Sequence, residues 1–221
     1  MGFGKVQVIK LALINLGIST TNVMGPSSTD RNYVLMQNYF DIALEKTLMD
    51  HDWNCASAFR TLTPDWEQEP HPNYLYSYDY PNDCLIIREI YQSEKVNTTD
   101  EQVSYMNMRS YHPEGMTQAE KQLFEVCINS AEKKTIYTNA SCAMARYTRN
   151  ASAIEREMSP DLAMALSWYL AFLTASAITG ARTKAADCLQ IYQQMVNEAR
   201  VADANEAHTE ENENDWIEAR N

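Results

Sequence analysis

The side chains able to do chemistry are few and scattered. The four histidines, His51, His71, His112 and His208, lie far apart at loop or helix-end positions, which predicts surface or turn residues rather than bases or ligands. The five cysteines, Cys55, Cys84, Cys127, Cys142 and Cys188, are odd in number and widely spaced, with no C-x-x-C pair and no histidine at ligand spacing. That pattern predicts reduced, small, buried residues of a protein made in a cytosol. Acid pairs such as Asp50 with Asp52, or Glu67 with Glu69, have the residue types of a general acid-base couple. A chain of net charge −12 carries such pairs on any solvated face. No Gly-rich phosphate loop, G-x-S-x-G or H-E-x-x-H occurs. These residues predict a protein that is not an enzyme, with no catalytic residue, no metal site and no cofactor.

The aromatic residues carry more information. Tyr74, Tyr76, Tyr78 and Tyr80 recur with period two, so they share one face of an extended segment, opposite Leu75, Ser77 and Asp79. Such a ladder packs well as half-buried sheet, and Tyr74, Tyr76 and Tyr78 are the candidate aromatic surface for a partner. Pro81 lacks an amide donor and ends the strand. Asn82 and Asp83 supply the turn before Cys84-Leu85-Ile86-Ile87 opens the next strand. Near the other end of the chain, Trp216-Ile217 is an apolar pair within the acidic, polar stretch 208–221. Such a pair either folds the tail back on its own domain or anchors a partner, where tryptophan is favoured; on the second reading Asp215, Trp216 and Ile217 are the candidate docking residues.

The elements that must position these groups are predicted as follows. Val6, Ile9, Leu13 and Leu16 mark a short amphipathic helix from Lys5 that Gly17 can end in a left-handed conformation. No small-residue cleavage site follows a long apolar run there, so no signal peptide is expected. Ser27 or Ser28 is expected to cap a longer helix with Tyr33, Met36, Phe40, Ala43, Thr47 and Leu48 on one stripe. Trp53 then docks its end into the core. From Asn54 to about Ala151, prolines and period-two runs predict strands at 57–62, 75–80, 84–92, 103–110, 123–129, 135–139 and 143–147. Glu132-Lys133-Lys134 is the expected hairpin tip, and 65–73 and 97–102 are loops.

Ser159-Pro160-Asp161 is a helix start with cap, first-turn proline and an acid at the positive end of the dipole. Residues 162–181 carry no charge, which meets the length for a membrane span. The serines, threonines and alanines there make it weakly apolar for insertion, so a helix buried on most sides is expected. After Gly180, Ala185, Cys188, Tyr192, Met195, Ala199 and Ala202 form a second stripe to about Ala207, which predicts an antiparallel helix pair. Residues 208–221 are expected to be an extended tail, reaching about 45 Å when fully stretched.

The predicted fold class is therefore α+β. Residues 1–53 and 152–207 form a discontinuous helical bundle domain, 54–151 a β-rich antiparallel insertion, and 208–221 an extended acidic tail. A net charge of −12 and a pI near 4.7 argue against a protein that grips nucleic acid through cations. An acidic wall instead repels a passing phosphate backbone.

Leu11-Ala-Leu-Ile-Asn-Leu-Gly17, the Asp52-Trp53-Asn-Cys-Ala56 corner and Tyr78-Asp-Tyr-Pro-Asn-Asp-Cys-Leu85 occur in that order. They are followed by Ser159-Pro-Asp-Leu-Ala-Met-Ala-Leu166, Leu170-Ala-Phe-Leu-Thr174 and the Tyr192 to Ala199 helix. In order and spacing, these motifs resemble the head-to-tail adaptors of short-tailed bacteriophages, the tail tubular protein A family. The 88–150 stretch matches only as generic strands, and the Trp-containing tail carries no family motif.

The resemblance implies a structural virion protein at the head-tail interface, assembled in the host cytoplasm. It would form a dodecameric ring between the portal protein and the tail nozzle or a tail fibre protein. The ring would line the exit channel for double-stranded DNA without binding it specifically, and no membrane insertion is implied. On this reading Trp216 and Ile217 clasp the portal, with Tyr192, Met195 and Ala199 on the supporting helix. Two alternatives remain at this level: an adaptor-like peptidoglycan hydrolase acting during infection, and a non-viral helical interaction module.

Overall fold

Local signals start and stop the helices. In the computed structural model, which describes residues 3–23, 25–65, 71–92, 121–154 and 158–206, α1 spans Lys5–Asn15. The Gln7 side chain accepts the Gly4 amide, satisfying one of its free N-terminal donors. At the other end Gly17 has φ +77°, and the amides of Gly17 and Ile18 return to the carbonyls of Ile14 and Leu13 at 2.8 and 2.9 Å. This is a Schellman closure, and only glycine enters it without strain.

Helix α2 covers Arg31–Asp50. Its cap is Asp30 rather than Ser27 or Ser28: the Asp30 carboxylate accepts from the amides of Asn32 and Tyr33 at 2.9 and 3.0 Å. A carboxylate satisfies two orphan donors and faces the positive helix end, which a hydroxyl does less well. Ser28 instead uses its hydroxyl in the preceding turn, toward Asn22 and the Asp30 amide. The expected stripe Tyr33, Met36, Phe40, Ala43, Thr47 and Leu48 is buried, together with Leu44.

Among the described residues the chain contains five helices and seven strands. It divides into two units, one made of Met1–Cys55 with Glu155–Asn221 and the other of Ala56–Ile154. The architecture is α+β, with the helices and sheets segregated rather than alternating.

In the first unit α4, Pro160–Thr179, is the central element. Ser159 caps it through the Leu162 amide, Pro160 opens it, and Gly180 at φ +70° closes it. It packs against α1, α2 and α5, the last spanning Arg182–Glu206. By composition α4 is long and apolar enough to cross a bilayer, and half of its most apolar window is buried within the unit. Its small residues Ala163, Ala165, Ala171 and Ala175 are fully buried, which lets neighbouring helices approach closely. The Tyr169 and Tyr192 rings meet at 4.9 Å on either side of the short turn at Gly180. Helices α4 and α5 are thus an antiparallel pair.

The α5 stripe differs in one respect from expectation. Cys188, Tyr192 and Ala199 are buried, as is Val196, whereas Met195 is half-buried and Ala202 exposed. Asp203 takes the inward place at the end of the stripe, because it is bonded by His51 and Asn54.

The second unit holds strands β1 (Ser57–Thr61), β2 (Tyr76–Asp79), β3 (Cys84–Gln92), β4 (Lys121–Gln122), β5 (Phe124–Ile128), β6 (Lys134–Thr138) and β7 (Ala143–Arg149). A short helix α3, Ala151–Ile154, follows them. The strands form a four-stranded sheet, β1-β7-β3-β4, and a three-stranded one, β2-β6-β5, with every pairing antiparallel. One core takes Ile87, Ile90, Ala145 and Tyr147 from the first sheet and Tyr78 and Ile136 from the second.

The β5–β6 turn is built on Asn129, whose side chain accepts the amides of Ala131 and Lys133. Glu132 sits there in the left-handed region. The expected strand at 103–110, the loop at 97–102, most of the 65–73 loop, Glu67, Glu69, His112, His208 and the tail with Asp215, Trp216 and Ile217 lie outside the described residues.

Candidate functional site

In the helical unit the chain corner after α2 gathers polar groups that the sequence assigns separately. The last carbonyls of a helix need outside donors. Here Trp53 Nε1 donates to the Thr47 carbonyl at 2.8 Å and Arg200 to the Asp50 carbonyl at 3.0 Å. The Tyr192 hydroxyl donates to the Asp50 carboxylate at 2.8 Å, and Lys46 pairs with the same carboxylate. Burial and the Asp50 charge both push the Tyr192 phenol well above its ordinary range.

His51, expected at the surface, is only 10% exposed, with Nε2 2.6 Å from Asp203 and its ring edge-on to Trp53. Apart from the Lys46–Asp50 pair within α2, these bonds tie α2 and the corner after it to α5 or close the end of α2. Of the three residues expected to support docking, Tyr192 and Ala199 are buried in this packing and Met195 is half-buried. Tyr192 and Ala199 can act on a partner only by holding α5 in place.

In the β unit the tyrosines separate. The Tyr78 ring is 2% exposed and its hydroxyl donates to the Ala140 carbonyl at 2.6 Å. Tyr78 is therefore a core residue and not part of a partner-facing surface. Tyr76 is half-buried against the same core. Periodicity put these residues on one face correctly, but that face points inward. Exposed apolar side chains lie elsewhere in the β unit: Leu75, just before β2, Leu123, just before β5, and Ile128 at the end of β5 are 76%, 83% and 70% exposed.

Burial raises Tyr78 to a pKa of about 12; burial and the Asp83 carboxylate, which accepts the Tyr147 hydroxyl at 3.0 Å, raise Tyr147 to about 12. A phenol raised above its ordinary value of about 10 contributes stability that is whole below that pH and lost as pH climbs through the folded value. The expected result is a β unit that weakens between about pH 10 and 12, read by tyrosinate absorbance rising together with loss of sheet circular dichroism. Glu89 works in the opposite sense. Burial alone would raise it, yet Lys121, Tyr91 and Arg146 hold its carboxyl below the usual range. Its contribution is present at neutral pH and lost as pH falls through that lowered value.

Tyr74 belongs to another arrangement. Its ring lies 5.2 Å from the His71 ring, which in turn lies 4.7 Å from Tyr137, both tilted by little over 30°. Glu125 is the strand partner of Tyr137, and its carboxylate is 3.6 Å from His71 Nε2. Cys127, two residues on and so on the same face of β5, points its Sγ at Glu125 at 3.4 Å. One ligating atom from each of His71, Glu125 and Cys127 falls within 4.8 Å of the others.

Desolvation and the adjacent Glu125 both push the Cys127 thiol up. Its hydrogen bond goes to the carboxylate, so it is not the activated thiolate of a nucleophile. Nor do the cysteines form one buried class: Cys142 and Cys188 are buried, and Cys55, Cys84 and Cys127 are half-exposed. The local sequence signal for this cluster is the alternation Glu125-x-Cys127; nothing near it announces His71.

Comparison with known proteins finds no family model that matches the chain and no significant match among curated proteins.

Proposed function

We propose that this chain is a structural subunit of a head-to-tail adaptor, forming a dodecameric ring between a portal and a tail nozzle or fibre protein. The observation that carries this reading is the architecture of the helical unit. Segments from both ends of the chain close around α4, uncharged from Leu162 onward, with the β unit inserted between them in sequence.

Other features support it. The outward side of α2 carries Tyr39, Ile42 and Met49, which are 40%, 63% and 47% exposed, an apolar strip of the kind a neighbouring subunit covers. Leu75, Leu123 and Ile128 give the β unit its own apolar surface for a tail partner. The net charge of −12 repels the DNA backbone in a channel. It also opposes ring closure by free subunits, so the portal serves as template.

The test is negative-stain electron microscopy of the chain mixed with its cognate portal ring, with the chain alone as control. Ring density added at one end of the portal is expected. Bare portals beside free protein would reject the adaptor role and return the hydrolase and the non-viral interaction module as the readings to pursue.

A further inference from the structure

We propose that His71, Glu125 and Cys127 form a binding site for a single zinc-class divalent cation on the outer face of the β2-β6-β5 sheet. The inference is independent of the adaptor role. It rests on donor chemistry, spacing and preorganisation.

An imidazole nitrogen, a thiol sulfur and a carboxylate oxygen are together the borderline donor set that suits Zn²⁺ and disfavours Mg²⁺ or Ca²⁺. Metal–ligand bonds of about 2.0–2.3 Å in a tetrahedron place ligand atoms roughly 3.3–3.8 Å apart. Here Cys127 Sγ is 3.4 Å from one Glu125 oxygen and His71 Nε2 is 3.6 Å from the other, and the ligating atoms of the three residues converge within 4.8 Å. A small closing movement of the Glu125 side chain, which is half-exposed, completes the three-ligand arrangement. The remaining position is open to water.

The histidine is held for the purpose. Its side chain is 15% exposed and its ring sits on Tyr137 with Tyr74 beside it, so it keeps Nε2 directed at β5. The Asn73 amide donates to Nδ1 over a long 3.3 Å. Coordination through Nε2 shifts the ring proton to Nδ1 and gives up that weak bond, while the Cys127 thiol proton leaves to solvent. The cation then ties the 71–74 segment to β5, which among the described residues stands at an edge of its sheet. A tie of this kind protects a strand edge from unwanted pairing.

The test uses the full chain, chelator-treated and kept reduced, titrated with Zn²⁺ against a chromophoric chelator and separately with Co²⁺. One Zn²⁺ per chain is expected, and Co²⁺ should show thiolate-to-metal charge-transfer absorption that Cys127→Ser abolishes. His71→Phe keeps the stacked ring without the ligand, and Glu125→Gln keeps the shape of an exposed side chain. Each should weaken Zn²⁺ by at least the roughly 10–100-fold that loss of even an outer-sphere partner costs, with unchanged circular dichroism before metal is added. Failure of the chain to compete with the chelator would overturn the site. So would variants that bind as the parent does, or Mg²⁺ competing on equal terms. Glu125 lies outside the core, so its variant decides the matter even if another fails to fold.

Discussion

Replacing Trp53 by alanine is expected to remove about 3–5 kcal/mol from the stability of the helical unit, the usual cost of deleting a large buried aromatic. The ring is 2% exposed, so its loss opens a cavity beneath the corner that follows α2. It also strips the donor from the Thr47 carbonyl, one of the helix-end acceptors that have no partner inside α2. Trp53→Phe separates the two effects. It keeps most of the packing and should lose only about 1–3 kcal/mol, the cost of leaving a buried acceptor unmade. Urea unfolding followed by helical circular dichroism measures both. An alanine variant within about 1 kcal/mol of the parent would show that the indole is not what closes α2.

Trp216 should behave in the opposite way. Trp216→Ala is expected to weaken attachment to a portal by about 2 kcal/mol or more, close to 30-fold, as loss of an aromatic anchor does. Removal of residues 208–221 should do at least as much. If the stretch is used to grip a portal, neither change should alter the thermal transition by more than about 0.5 kcal/mol. Binding to immobilised portal rings reads the first quantity and calorimetry the second. A truncated chain that still decorates portals fully would eliminate the clasp, without bearing on whether the ring itself forms.

The two tryptophans illustrate a wider division. Residue type marks each as valuable, and the surroundings decide for what. Trp53 lies on a corner between an apolar stripe and a β region, so its burial could be read from the chain. Trp216 stands alone among acids, where the available uses are to fold back or to grip something else. Tyr78 shows the limit of the same reasoning, since alternation defines a face without saying whether that face turns inward. Its burial comes from the four-stranded sheet lying over it, which brings Ala145 and Tyr147 of β7 from far along the chain.

What the sequence by itself determined is whatever depends on neighbours in the chain. The capped start of α4 at Ser159-Pro160-Asp161, the glycine ends at Gly17 and Gly180, and the span Cys84–Gln92 of β3 all follow from local hydrogen bonds and backbone preference. The α+β segregation follows from the change of hydrophobic period between segments. The choice of Asp30 over the nearby serines as the α2 cap was less legible, because both residue types can cap and only the path of the loop selects one. Tertiary structure alone decided that Asp203 would meet His51, and that His71 would meet Glu125 and Cys127. These contacts join residues with no relation in spacing or composition, and chain folding brings them together only as a consequence of packing cores elsewhere.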